Sequence, residues 1–171
     1  RQYDNGKAVE KCVVYSIEVR TEEMEMSKAD RAEELFRMGY NCSQSVYAAF
    51  AEEFGISIEE AAKKASPFGA GFGKLRAVTG MTMVLGELYG YEDPKDAAGK
   101  IELYALVQKL CGSFEESEGS LICRELLGLK KGEDLEEPAV RTEEYYQSRP
   151  CVRACRRAAE ILETYIDSCV A

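Results

Sequence analysis

Apolar positions three or four residues apart dominate the chain from Ser27 onward, which is the spacing of amphipathic helices. A residue suited to an N-cap opens most of these segments, and a Gly or Pro closes several of them. The predicted helical segments are Ser27 to Gly39, Asn41 to Gly55, Ser57 to Pro67, Ala77 to Tyr89, Asp93 to Leu110, Ser120 to Gly128 and Pro150 to Ile166. The pattern therefore predicts an all-α protein, a compact bundle of six to seven helices in a single domain over residues 27–171.

Two segments differ from the amphipathic helical pattern. The predicted helix Ala77–Tyr89 is almost entirely apolar or small and is expected to be buried at the centre of the bundle. Ahead of the helices, Val13–Val19 places apolar side chains at alternate positions, the period of a β-strand. A short strand is not stable alone. Residues 1–26 are therefore interpreted as an N-terminal arm that either pairs with a partner chain or is loosely attached or foreign to the domain.

Composition and charge narrow the classes of function. The chain of 171 residues has a formal net charge of −9, which argues against binding to duplex nucleic acid or to an anionic membrane surface. No apolar run approaches the roughly 20 residues of a membrane-spanning helix. The chain opens on Arg1 without an apolar export segment, and on that basis a cytoplasmic location with mostly reduced thiols is expected.

Histidine is absent, whereas seven cysteines are present. The absence of histidine removes His-based acid–base catalysis, Ser–His and Cys–His nucleophile pairs, and the usual His-containing zinc and haem motifs. An odd number of irregularly spaced cysteines indicates free thiols and not a disulfide scaffold. Cysteine chemistry is therefore the main candidate activity.

The stretch Pro67–Thr79 reads PFGAGFGKLRAVT and carries Gly69, Gly71 and Gly73 at alternate positions. This spacing fits neither the P-loop pattern GxxxxGK[ST] nor the dinucleotide motif GxGxxG. We interpret the glycines as a tight turn with positive φ angles and close backbone approach, which directs the start of the next helix into the interior. They are the candidate cofactor-binding positions.

Three cysteines, Cys42, Cys123 and Cys151, fall in the first turn of a predicted helix. The positive end of a helix stabilises a thiolate and lowers the thiol pKa. The thiolate is the species that attacks disulfides, binds metals and reacts with peroxide, so these three are the candidate catalytic residues. The alternative is that each is a small buried apolar side chain without further function.

A metal site is a second use for the same thiols. Cys155 follows Cys151 by four residues and shares one face of the last helix with it. Their β-carbons would be about 5–6 Å apart, too far for an unstrained disulfide but suitable for two ligands of one metal. Cys42, Cys123, Cys151 and Cys155 are the candidate metal ligands, and thiolates suit zinc or iron. The usual CxxC pairs are absent.

Several stretches in order resemble the C_GCAxxG_C_C family of redox-active proteins. They are NCSQSV at Asn41–Val46, the turn FGAGFG, AVTGMTMVLGELYG, GSLICRELLG and a closing helix of the form C…AAEIL. The resemblance covers roughly Ala29–Tyr165. It implies a small α-helical protein with four motif cysteines and a thiol redox role.

The match to the family motif is incomplete. Cys42, Cys123 and Cys151 correspond to the first, third and fourth motif cysteines, whereas Leu75 stands in place of the second. The four-thiolate site that the resemblance implies is thus incomplete unless Cys155 or Cys111 substitutes. A dithiol/disulfide role is affected less, because two cysteines suffice for it.

The leading hypothesis is a cysteine-based redox protein with a thiol/disulfide or electron-transfer role. If it is enzymatic, it is a thiol-dependent oxidoreductase with an unidentified redox partner protein. Two alternatives stay open, namely a metal or iron–sulfur binding module, and a non-catalytic helical binding protein or homo-oligomer that is a degenerate member of the family. The sequence identifies no cofactor and leaves a metal or iron–sulfur cluster open.

Overall fold

The computed structural model describes residues 26–70, 75–130 and 140–170, which form helices, 3₁₀ turns and connections without a strand. The α-helical segments are α1 (Lys28–Arg37), α2 (Cys42–Ala48), α3 (Ile58–Ala65), α4 (Arg76–Tyr89), α5 (Ala97–Glu118), α6 (Cys123–Leu126), α7 (Glu143–Ser148) and α8 (Cys151–Val170). The all-α prediction is confirmed. The predicted strand over Val13–Val19 lies outside the described residues.

Side-chain caps begin several helices where the sequence predicts them. The Ser27 hydroxyl accepts a hydrogen bond from the Asp30 N–H at 3.0 Å. Asn41 forms a capping box with Gln44, since each side chain accepts the backbone N–H of the other residue, at 3.0 and 2.9 Å. This box fixes the first residue of α2, Cys42, at the helix start.

The start of α5 differs from the predicted one. The Asp96 side chain accepts the N–H of Gly99 at 2.9 Å and caps the helix, whereas the Asp93 side chain accepts the N–H of Lys95 in the preceding turn. The helix also runs on to Glu118, well past the predicted end. Two aspartates three residues apart can both act as caps, and the sequence alone does not choose between them.

The buried centre of the bundle is α2, and not α4 as predicted. Every residue of α2 except Gln44 is buried, and α2 packs against α1, α3, α4 and α8. Helix α4 buries only one side. It approaches α2 closely at Gly80, where a β-carbon would lie 2.7 Å from the carbonyl oxygen of Ser43. The second predicted helix is α-helical only as far as Ala48 and continues as the 3₁₀ turn Ala51–Phe54.

The long helices α5 and α8 are joined at the end of α5. The Glu118 carboxylate is almost completely buried and pairs with Arg153 at 2.7 Å and with Arg157 at 3.6 Å. Within the described ranges, no helix combines the length and the apolar character needed to cross a membrane.

Candidate functional site

The starts of α2, α4 and α6 are tied to one another by hydrogen bonds. The Ser43 hydroxyl donates to the carbonyl oxygen of Arg76 at 2.7 Å, which links α2 to α4. The Leu75 N–H donates to the carbonyl oxygen of Leu121 at 2.7 Å, which links α4 to the segment before α6. Each such bond contributes on the order of 1 kcal/mol. Together they hold the first residues of three helices at one end of the bundle.

Four thiols meet at this end. The Cys42 thiol, on the first residue of α2, lies near the thiols of Cys151, the first residue of α8, and of Cys155 one turn later, and both affect its pKa. The Cys155 thiol also lies 4.0 Å from the carbonyl oxygen of Cys42. Cys123, the first residue of α6, lies within electrostatic reach of Cys42 and of Cys151. The structure thus brings the three candidate catalytic cysteines and Cys155 together, all as free thiols.

The cluster has a buried and an accessible side. Cys155 is 0% exposed and Cys42 is 9% exposed, whereas Cys123 and Cys151 are half-buried. Leu75, in the position of the missing motif cysteine, is 5% exposed and packs in the core. An external reactant would therefore meet Cys123 and Cys151 before Cys42.

The environment of Cys42 and Cys151 raises their thiol pKa values, contrary to the lowering expected at helix starts. The pKa of Cys151 is raised because its thiol interacts with Cys42 and is buried. At Cys42, the interaction with Cys151 lowers the pKa, but the interaction with Cys155 and burial outweigh it and leave the pKa well above its ordinary value. Burial and thiol–thiol coupling thus dominate over the helix end.

Cys123 has a different electrostatic surrounding. Burial raises its thiol pKa, while the guanidinium groups of Arg76 and Arg149 act in the opposite direction. Arg149 lowers the pKa of Cys151 as well. Two cations therefore border the accessible thiols.

Tyr145, on α7, is a site residue that the sequence did not reveal. Its hydroxyl lies near the Cys151 thiol, lowers the pKa of that thiol and so favours the thiolate there. Burial raises the pKa of Tyr145 to about 12, so the phenol is a neutral donor. Its ring stacks on Phe36 with a centroid distance of 6.4 Å and carries the Arg149 guanidinium 4.9 Å from the ring centroid. The sequence signal for it is the pair of tyrosines shortly before Pro150, in a segment where no helix was predicted.

The glycine turn is described only in part. Gly69 lies in the 3₁₀ turn Ser66–Ala70, and its φ angle is not positive, which corrects the prediction at that position. A β-carbon at Gly69 would collide with the side chain of Asn41, the cap of α2. Glycine is thus required here for close packing against that cap. Gly71 and Gly73 lie outside the described residues, and a cofactor-binding role for the three stays a prediction.

The predicted metal site lacks geometric support. Among residues 26–70, 75–130 and 140–170, no group of three or more Cys, Asp or Glu side chains is arranged so that it could hold a metal ion. The set Cys42, Cys123, Cys151 and Cys155 does not fit a thiolate metal centre in this arrangement, and metal binding stays a prediction.

Comparison with protein families gives one match. The family described as "Putative redox-active protein (C_GCAxxG_C_C)" matches residues 40–165, which is most of the chain and includes all four clustered thiols. Comparison with curated proteins and with solved structures gives no match.

Proposed function

Because this chain belongs to the C_GCAxxG_C_C family of putative redox-active proteins, we propose that it is a thiol–disulfide redox protein in which Cys42 and Cys151 are the reversibly oxidised pair. The observation that carries the proposal is the close approach of the starts of α2 and α8, where the thiols of Cys42 and Cys151 shift each other's pKa. The thiol of Cys155, one turn along α8 from Cys151, lies 4.0 Å from the carbonyl oxygen of Cys42. Two sulfurs at this junction can form a bond without a large movement of either helix.

The accessible thiol of the pair would react first. Cys151 is half-buried and Cys42 is buried, so Cys151 attacks the substrate and Cys42 resolves the product. Tyr145 lies near Cys151 and stabilises the attacking thiolate. Cys123 raises the pKa of Cys42, its own pKa is raised by Cys151, and it is half-buried like Cys151.

The reaction with a disulfide substrate proceeds in two exchanges. The Cys151 thiolate attacks one substrate sulfur, the substrate S–S bond breaks, and the first substrate half leaves as a thiolate that takes up a proton. Cys42, as a thiolate, then attacks the Cys151 sulfur. The Cys42–Cys151 bond forms, and the second substrate half leaves and is protonated. Two electrons and two protons pass from the protein to the substrate, and thiols reverse the sequence.

The pair carries at most one negative charge during these steps. Ionisation of Cys151 is opposed by its interaction with Cys42. Arg149 and Tyr145 act against this effect, because both lower the pKa of Cys151 and so favour the thiolate that makes the first attack.

Disulfide mapping tests the proposal. The reduced protein is treated with the neutral disulfide dithiodipyridine, the remaining thiols are alkylated, and tryptic peptides are analysed by mass spectrometry. Arg153 separates Cys151 from Cys155 in the sequence, so trypsin places the two on different peptides. We expect a cross-link between the Cys42 and Cys151 peptides.

The variants Cys42→Ala and Cys169→Ser provide the comparison. Cys42→Ala should accumulate the mixed disulfide at Cys151, because the proposed resolving thiol is missing. Cys169 lies about 27 Å along α8 from Cys151 at 1.5 Å per residue, so Cys169→Ser should form the cross-link normally. Recovery of Cys42 and Cys151 as separate alkylated thiols after oxidation of the wild-type protein would contradict the proposal.

A further inference from the structure

Two arginines beside the thiol cluster have no carboxylate partner among the described residues, whereas seven other cations there do. The cations paired with carboxylates are Lys28, Arg31, Arg37, Lys64, Arg153, Arg156 and Arg157. Arg76 and Arg149 have no ion pair with a carboxylate among the described residues. In a chain with 31 acidic and 22 basic residues, two unpaired guanidinium groups at one place need a reason.

Arg76 is held in position without its full set of hydrogen bonds. It is the first residue of α4, and its carbonyl oxygen accepts the Ser43 hydroxyl, so the backbone is fixed. Its Nε atom is buried and has no hydrogen-bond partner in the described part of the chain. A buried guanidinium donor without an acceptor costs free energy. An anionic ligand would supply the missing acceptor.

Arg149 is held near the accessible thiols by an aromatic ring. Its guanidinium group lies over the Tyr145 ring, 4.9 Å from the centroid, in the connection between α7 and α8. This stacking fixes the group while its N–H donors can still bind a carboxylate. Arg149 acts electrostatically on Cys123 and Cys151, and Arg76 acts on Cys123. The two cations therefore flank the thiols that an external reactant meets first.

We propose that the substrate of this thiol site is a small anionic disulfide, whose carboxylate binds between Arg76 and Arg149 while its sulfur reaches Cys151; this inference rests on the proposed thiol–disulfide function. Planar guanidinium groups match carboxylates in charge and geometry. A small molecule fits better than an acidic protein, because the net charge of −9 repels a large acidic partner over a wide area. The exchange itself follows the two steps given above, with the substrate as oxidant.

A pair of probes that differ in charge tests the inference. Dithiobis-nitrobenzoate carries a carboxylate on each half, whereas dithiodipyridine is neutral, and both release a coloured thiol when they are attacked. Rates with each probe are measured on the native protein and, as a reference, on the protein unfolded in urea. We expect the ratio of the anionic to the neutral rate to be higher in the native protein, and to fall towards the unfolded value as salt is added.

The variants Arg76→Gln and Arg149→Gln should each lower the rate with the anionic probe by about threefold to tenfold. The rate with the neutral probe should fall clearly less than the rate with the anionic probe. Loss of Arg149 raises the pKa of Cys151 and slows the reaction with either probe, whereas only the anionic probe also loses the cation that binds its carboxylate. Arg76→Lys should retain most of the preference for the anionic probe, since the charge is kept. Arg153→Gln is the matched control, because Arg153 lies two residues from Cys151 but is paired with Glu118. Its rates should follow the wild type.

The outcomes separate the inference from the proposed function. A native protein that reacts with both probes, but whose probe ratio is unchanged in Arg76→Gln and Arg149→Gln, overturns the anionic substrate and leaves the redox pair intact. Equal loss of both rates in these variants also overturns it, since it indicates that the arginines only support the fold. Failure of native Cys151 to react with either probe refutes the proposed function and this inference with it.

Discussion

The acidity of the Cys151 thiol depends on neighbours with opposite effects, because Cys42 and burial raise its pKa whereas Arg149 and Tyr145 lower it. The effect of Cys42 is the largest, and burial adds to it. At the scale of single residues, therefore, the reactivity of Cys151 depends on whether Tyr145 keeps its hydroxyl.

The substitution Tyr145→Phe removes this hydroxyl and retains the ring that stacks on Phe36 and under Arg149. We expect alkylation of Cys151 at neutral pH to slow by about tenfold, because a hydrogen bond to a charged group contributes about 1.5 kcal/mol or more. The pH dependence of alkylation should shift to higher pH. Alkylation is followed by iodoacetamide labelling and mass spectrometry of the peptide that contains Cys151.

Tyr146→Phe is the control for this prediction. The Tyr146 hydroxyl donates to the carbonyl oxygen of Arg37 at 3.2 Å, away from the thiols, so the variant should label at the wild-type rate. If Tyr145→Phe and the wild-type protein have the same pH profile, the assigned role of Tyr145 is wrong.

At the scale of helices, the position of Cys42 depends on the close contact between α2 and α4. The contact is closest at Gly80, where an added β-carbon would meet the Ser43 carbonyl oxygen at 2.7 Å and the Val46 β-carbon at 3.0 Å. These are backbone and branched groups that cannot simply rotate away. The two helices must therefore separate if a larger residue replaces the glycine.

We expect Gly80→Ala to destabilise the protein by about 1–3 kcal/mol, as overpacking of a core does. Gly86→Ala, in the same helix, should instead stabilise it by about 0.5–1 kcal/mol, because a β-carbon there meets nothing within 4 Å and Ala is the better helix former. Urea denaturation of both variants measures the difference. Opposite signs are the expected result, and a stabilising Gly80→Ala would show that α2 and α4 are less tightly packed than described.

The helices that the sequence predicted correctly are those with local signals. Ser27 and Asn41 cap helices through bonds to residues three positions along the chain, and such bonds can be read from neighbours alone. The short helix α7 carries a cap at Thr142 but is only six residues long. It has too few residues for a helical period to be recognised. Tyr145 was missed for that reason.

At the scale of the whole molecule, the convergence of the thiols is a tertiary property. Cys42 and Cys155 are 113 residues apart in sequence, so no local pattern relates them. The helical pattern predicted Cys42, Cys123 and Cys151 at helix starts. The resemblance to a family indicated that the three belong to one site. The sequence predicted the wrong direction for their pKa values. The positive helix end is a local feature, whereas the burial that outweighs it arises from helices distant in sequence.

The raised thiol pKa values make the stability of the molecule depend on pH. The ordinary thiol pKa is 9.0, and the folded-state values of Cys42, Cys123 and Cys151 lie above it. Above about pH 9 the unfolded chain therefore loses protons that the folded protein retains. The stabilisation is fully present below that pH and is lost as the pH rises through the folded-state values. Each thiol that stays protonated in the fold contributes a slope of about −1.4 kcal/mol per pH unit in this window.

Urea denaturation under reducing conditions between about pH 8 and pH 10 measures this slope. The measurement ends at about pH 10 because tyrosine in the unfolded chain ionises near that pH. Burial raises the pKa of Tyr145 in the folded protein to about 12. Above pH 10, Tyr145 would therefore also make the free energy of unfolding fall as the pH rises. Cys151→Ala removes one of the coupled thiols and should flatten the decline, whatever its effect on stability at neutral pH. Cys169→Ser should leave the slope unchanged. A wild-type stability that stays level across this window would mean that the clustered thiols ionise as they do in the unfolded chain, and the coupling between Cys42 and Cys151 would then be wrong.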